Sequence, residues 1–309
     1  MPGREFRTAL TADSVEQQPK RSRTRWWRLV WTGIVVLVLL AAFTLVYNNY
    51  SFHQQSRAQF DAQLDAALER ATVWIAANPV LSLRNPSVMY MIADMESLSH
   101  DPRLKKLLNL YRFGLSRPTN VLDFVWMRIP DRQAPVPVIT ARELQGTNFE
   151  YLWDSYAVAP QQVQISPEER ANMFSPTKYY WGARQHQLLA LVMYRDFNGS
   201  DAELDSTINH LSEKIARDAH YDFRVSDSYI QRTTFVLAAG RPDLIRRRWV
   251  ERILDNQTAD GSWKYCWYGW CRGIFEFNLT NPGHPTVQAA WALTMLKYRY
   301  PQWIEEHYR

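Results

Sequence analysis

The chain is short of glycine, of cysteine and of strand-like alternation. It has 11 glycines and two cysteines in 309 residues, and few runs in which apolar and polar residues alternate. Scarce alternation argues for helices rather than strands. Two cysteines exclude a disulfide framework or a cysteine-rich zinc module. A broad charge surplus is missing too. The formal charge is +5, but residues 1–28 carry seven basic against three acidic side chains, or +4 of that total. The remaining chain is nearly neutral and has no field to gather phosphates, so nucleic acid is not expected as a partner.

What the chain does have is apolar and aromatic. Hydrophobic residues make up 46% and aromatic residues 14% of it, enough for a sizeable core. Residues 29–47, LVWTGIVVLVLLAAFTLVY, hold no charge and no proline. As a helix they span roughly 28 Å, about one hydrocarbon core. Trp26, Trp27 and Trp31 on one flank and Tyr47 and Tyr50 on the other resemble interfacial belts. Basic residues cluster between Lys20 and Arg28, with none from Leu29 to His53. A single-pass cell-membrane anchor through lipid at 29–47 is therefore expected, with a basic cytoplasmic tail at 1–28 and the bulk of the chain outside. The apolar run exceeds a signal-peptide core, and VYNNYSF offers no small-x-small cleavage site.

Beyond the anchor the pattern is helical. Residues 51–77 repeat Phe60, Leu64, Ala67, Leu68, Ala71, Trp74 and Ile75 at helical spacing. Asn85-Pro86 and Asp101-Pro102 open two further helices, completing a membrane-proximal set over 51–128. The run at 120–128 fits no single state. Pro130, Pro135, Pro137 and Gly146 make 129–150 a loop, either a seam or a lid. Ser166-Pro167, with Glu168 and Glu169 behind it, starts a helix. Further helices are expected over 178–195, 201–220, 227–239, 242–254 and 285–298, the last amphipathic. The whole reads as all-α, an N-terminal transmembrane helix followed by a helical domain over 151–309.

An aromatic loop over 255–285 dominates that domain. Asp260-Gly261-Ser262 is a turn. Five aromatics follow within eight residues, Trp263, Tyr265, Trp267, Tyr268 and Trp270. Gln257-Thr-Ala-Asp-Gly261-Ser-Trp263 resembles the Gln…Gly-x-Trp repeat of the terpenoid cyclases, the squalene–hopene and oxidosqualene enzymes. His284-Pro-Thr286-Val-Gln288-Ala-Ala-Trp291-Ala-Leu293 resembles the run that follows that repeat. The protein prenyltransferases share the underlying barrel. The resemblance covers about 45 residues of 309. It implies an α/α toroid, with inner and outer helices around a cleft. It also implies that Gln257 ties neighbouring backbone groups while Trp263 stacks beside them. The pattern departs at Arg252, where the repeat carries an aromatic. The Asp-x-Asp-Asp acid of the cyclases and the Asp-x-Cys zinc element of the prenyltransferases are absent, and Asp201-Ala-Glu-Leu-Asp205 has the wrong spacing. Fold alone does not license their chemistry.

The candidate site residues follow from that loop. Asp260, Glu276 and His284 are the ionisable groups it can aim into a cleft as acid and base. They read equally as an Asx-turn residue, a solvated charge and a helix-cap neighbour. Trp263, Trp267 and Trp270 are candidate ligand-binding surfaces for a glycan or an apolar ligand, or else core filling. Cys266 and Cys271 are expected to pair outside the cytoplasm. A zinc site with His284 would need a further ligand, so no metal or cofactor is expected. His186 and His220 lie in helical runs and read as helix faces. Asn198, Asn256 and Asn278 head sequons that matter only in a eukaryotic secretory route. Three functions fit: a membrane-tethered binding or scaffold module of the cell envelope, a surface enzyme acting on glycan or polyisoprenoid through Asp260 and His284, or a structural subunit of an envelope assembly.

Overall fold

The computed structural model describes residues 21–52, 54–79, 85–178, 181–222, 224–264 and 282–308. The described residues are all-helical, and their only β features are two isolated bridges, Ile139 with Val163 and Gln257 with Trp263. Contacts divide the chain into two units, Met1–Thr44 and Leu45–Arg309.

The first unit holds most of α1, Arg21–Asn49. One helix among the described residues is long and apolar enough to cross a membrane. That stretch is Arg25–Asn49, with mean hydropathy 2.7 and no part of its most apolar window buried.

Among the described residues the second unit carries the last turn of α1 and twelve more helices. These are α2 (Arg57–Ala77), α3 (Pro86–Ser99), α4 (Pro102–Leu115), α5 (Leu122–Trp126), α6 (Phe149–Val158), α7 (Pro167–Phe174), α8 (Trp181–Asn198), α9 (Ala202–Tyr221), α10 (Asp227–Ala238), α11 (Arg247–Asp255), α12 (Gly283–Tyr298) and α13 (Pro301–His307). Local chemistry sets the starts. Ser56 makes a reciprocal capping box with Gln59, so the helix expected from residue 51 begins at Arg57. Asn85 and Asp101 cap α3 and α4, each followed by proline at the first helical position. The run at 120–128 resolves into α5. The helix expected over 242–254 is a 3-10 turn, Pro242–Leu244, and then α11.

Five helices lie together with one polarity. Near their starts Glu150 of α6 meets His186 of α8, and near their ends Asn198 bonds the Ala157 carbonyl. Arg195 of α8 reaches the carbonyls of Ala238 and Ala239 at the end of α10. Thr234 of α10 bonds the Gln288 carbonyl of α12, and Trp291 of α12 donates to Asp94 of α3 at 2.6 Å. Ser87 of α3 hydrogen-bonds Asp154 of α6. Contacts therefore run α3–α12–α10–α8–α6 and return to α3, while α2, α4, α9, α11 and α13 pack against members of that set.

The middle of α12 is enclosed on every side. Every residue of α12 from Pro285 to Leu296 is buried, so α12 is a core helix rather than the amphipathic one its sequence suggests. Its two buried threonines close on local partners: Thr294 on the Ala290 carbonyl and Thr286 on the Pro282 carbonyl. Arg252 also lies in the core. It is fully buried, bonded to Asn48, and held over the rings of Tyr47 and Tyr229 at 5.4 and 4.9 Å. A cation held on aromatic faces thus occupies position 252.

Candidate functional site

Four ionisable residues meet where α6, α8, α10 and α12 begin. Asn148 caps α6 with its side-chain oxygen on the Glu150 N–H, which sets Glu150 in the first turn. Glu150 Oε1 lies 3.3 Å from His186 Nε2. Asp227 is the first residue of α10, and its Oδ1 lies 3.0 Å from His284 Nδ1 on α12. Gln231, one turn along α10, donates to Asp227 Oδ2 at 3.2 Å. Gln288, one turn along α12, lies 2.9 Å from His284 Nε2.

The two histidines are pushed in opposite directions. Burial depresses His186 below the ordinary histidine value; the Glu150 carboxylate works against this, and the nearby His284 charge adds to it. Burial also acts to depress His284, but the Asp227 charge and hydrogen bond, with Glu150 farther off, leave it raised. Near neutrality His186 is the neutral imidazole and His284 the better proton holder. Each feels the other, so the two pairs form one electrostatic group. Carboxylate–histidine pairs tuned apart in this way can serve as base and acid. The His186 and His284 side chains stay about a fifth and a quarter exposed.

Two neighbouring amides are incompletely satisfied. Gln185, next to His186, is almost wholly buried and neither of its side-chain polar atoms has a hydrogen-bond partner. Gln288 Oε1 is likewise without one. Leaving such groups dry costs about 1–3 kcal/mol each; of the two, Gln288 is the one in contact with the cluster, through His284.

The sequence candidates fall in three places. His284 is in the cluster. Asp260 is not: it accepts from the hydroxyls of Thr258 and Ser262 and from the Ser262 N–H, and these bonds, against burial, hold its carboxyl below the ordinary range. It organises the turn. Gln257 donates to the carbonyls of Ala67 and Gly261 and accepts from Arg70, fastening that turn to α2. Gly261 has φ +91°, and a Cβ there would lie 2.4 Å from the Arg70 carbonyl oxygen. Trp263 is fully enclosed, its indole N–H on the Ile253 carbonyl at 2.7 Å; Trp291 is equally enclosed. Glu276, Trp267, Trp270, Cys266 and Cys271 lie outside the described residues, so the proposed pairing of the cysteines lies there too. Among the described residues no group of three or more histidine, cysteine or carboxylate side chains could hold a metal.

Sequence reasoning missed Glu150, His186 and Asp227. The stretch 149–158 gives no strong helical signal, though Asn148 followed by Glu150 is a capping pattern. His186 reads as a helix face until Glu150 is brought beside it. Comparison with family models, curated proteins and solved structures finds no match to this chain.

Proposed function

We propose that the chain is a membrane-tethered α/α toroid whose body lies outside the cytoplasm and performs acid–base chemistry on a glycan. The closed run of contacts among five helices of one polarity supports the toroid. The apolar helix with its basic N-terminal flank supports the anchor and its orientation. One observation carries the enzymatic reading: two carboxylate–histidine pairs share the ends of four helices, with unpartnered buried amides beside them.

In this reading neutral His186 takes a proton, from water in a hydrolysis or from a carbon acid in an elimination. The His284 imidazolium, steadied by Asp227, gives a proton to the departing glycosidic oxygen. Glu150 orients His186, as Asp227 and Gln288 orient His284. The proton lost by His284 and the one gained by His186 balance over the turnover.

The test uses the whole chain in nanodiscs with purified envelope glycans. Release of new reducing ends or of unsaturated products, lost in His186→Gln and His284→Gln while thermal unfolding stays put, is the expected result. Products that persist in both variants, or none from any glycan, would overturn it. A reporter fused at Arg309 checks the orientation, and a cytoplasmic signal would reverse it.

A further inference from the structure

A separate groove of about 760 Å³ opens between α4, α5 and the first turn of α6, a size that takes a small organic ligand or a few sugar rings. Tyr111, Trp126 and Tyr151 line it, the last two meeting edge to face with centroids 5.5 Å apart. The Tyr111 hydroxyl is buried without a hydrogen-bond partner. Gly114 also lines the groove, and a Cβ built on it meets nothing within 4 Å. Glycine inside a helix weakens the helix; here it keeps the groove wall bare.

The polar lining is short of free charge. Asp123 accepts from the N–H and hydroxyl of Thr119 and from the Asn120 N–H. Glu143 accepts from the N–H and hydroxyl of Thr140. Asn120 and Asn148 use their oxygens as caps on α5 and α6, leaving NH₂ donors. Arg117 is the one cation in the lining, against two carboxylates, so nothing there favours a polyanion. The partly open ring of Tyr151, amide donors and an unpaired hydroxyl in a nearly neutral groove are the chemistry that recognises a neutral polyol.

We propose that this groove is a subsite for a neutral oligosaccharide, leading to the carboxylate–histidine cluster. The continuity is in the first turn of α6: Asn148 and Tyr151 face the groove lining, while Glu150 meets His186. The direction of that lead, though not the groove's own ligand, rests on the acid–base reading above.

The experiment is calorimetric titration of the full chain in nanodiscs with malto-, cello- and chito-oligosaccharides, oligogalacturonate and farnesyl phosphate. At least one neutral probe is expected to bind. Gly114→Phe, whose Cβ meets no protein atom and whose ring would occupy the groove, should abolish that binding. Tyr111→Phe should weaken it about tenfold while leaving thermal unfolding unchanged or raised, because it deletes only an unpaired buried hydroxyl. Binding that survives Gly114→Phe, binding of oligogalacturonate or farnesyl phosphate alone, or no binding at all would overturn the proposal. His284→Gln separates the two ideas: it should leave neutral-probe binding intact even where it stops turnover, and a subsite that binds with no turnover in the unaltered chain sinks only the acid–base reading.

Discussion

His284 Nδ1 sits 3.0 Å from Asp227 Oδ1, across the first turns of two neighbouring helices. A carboxylate can only accept, so Nδ1 keeps its proton, and the proton that titrates is the one on Nε2, beside Gln288. Asp227→Asn removes the charge that raises this imidazole, and burial then acts with less to oppose it. The His284 titration, followed by NMR, is expected to move to lower pH. A raised histidine contributes stability that is complete below its unfolded value and lost as pH rises through its folded one. The variant should therefore cost more at about pH 6 than at about pH 8. An unmoved titration would separate the two side chains energetically.

Asp154 offers the opposite kind of carboxyl. Burial, with the Glu150 charge behind it, pushes it up to about 7, although the Ser87 hydrogen bond acts the other way. Its folded value lies above its unfolded one, so its contribution is full below the ordinary 3.8 and is lost as pH rises through about 7. Asp154→Asn keeps the shape and removes the titration. Urea unfolding across that range should show a decline for the unaltered chain and a flatter curve for the variant.

Gly261→Ala tests the turn. The new Cβ meets the Arg70 carbonyl at 2.4 Å, and φ of +91° is foreign to alanine. A loss of about 2–4 kcal/mol in denaturant unfolding is expected, because backbone strain and a backbone clash add. The cluster at His186 and His284 should keep its titrations, since Asp260 and Gln257 act on the turn and not on those rings.

Trp291→Phe tests the seam between α3 and α12. The indole is fully buried, edge-on to Tyr90 at 5.8 Å, with its N–H on Asp94 at 2.6 Å. The variant loses ring volume and that bond, although Asp94 keeps Arg299 as a partner at 2.6 Å. A cost of about 2–3 kcal/mol follows, read as a lower denaturation midpoint at unchanged slope.

Much of the helical order is legible before any coordinates. Asn85-Pro86, Asp101-Pro102 and Ser166-Pro167 are local signals, each combining a side-chain cap with a ring that suits the first helical position, and all three open helices. Residues governed by distant neighbours are harder to read. Arg252 looks like a surface cation until Tyr47 and Tyr229, far along the chain, supply its aromatic walls. The amphipathic reading of α12 fails because helices lie on every side of it, so Thr286 and Gln288 are enclosed with the apolar residues. The candidate site shows the same limit. His284 stands out beside a conspicuous motif, but its partner Asp227 lies 57 positions away, and Glu150 and His186 are joined only when α6 lies along α8.

The Trp263 N–H is bonded to the Thr286 hydroxyl at 2.9 Å, 23 positions on. The span from residue 265 to residue 281 is therefore bounded on its two sides by residues that bond to each other. Closing a longer insert over fixed posts costs little, about 0.6 kcal/mol for each doubling of its length. A longer span between those posts would therefore add little to the entropic cost of folding. That makes this span the natural place to graft a new specificity onto an unchanged frame.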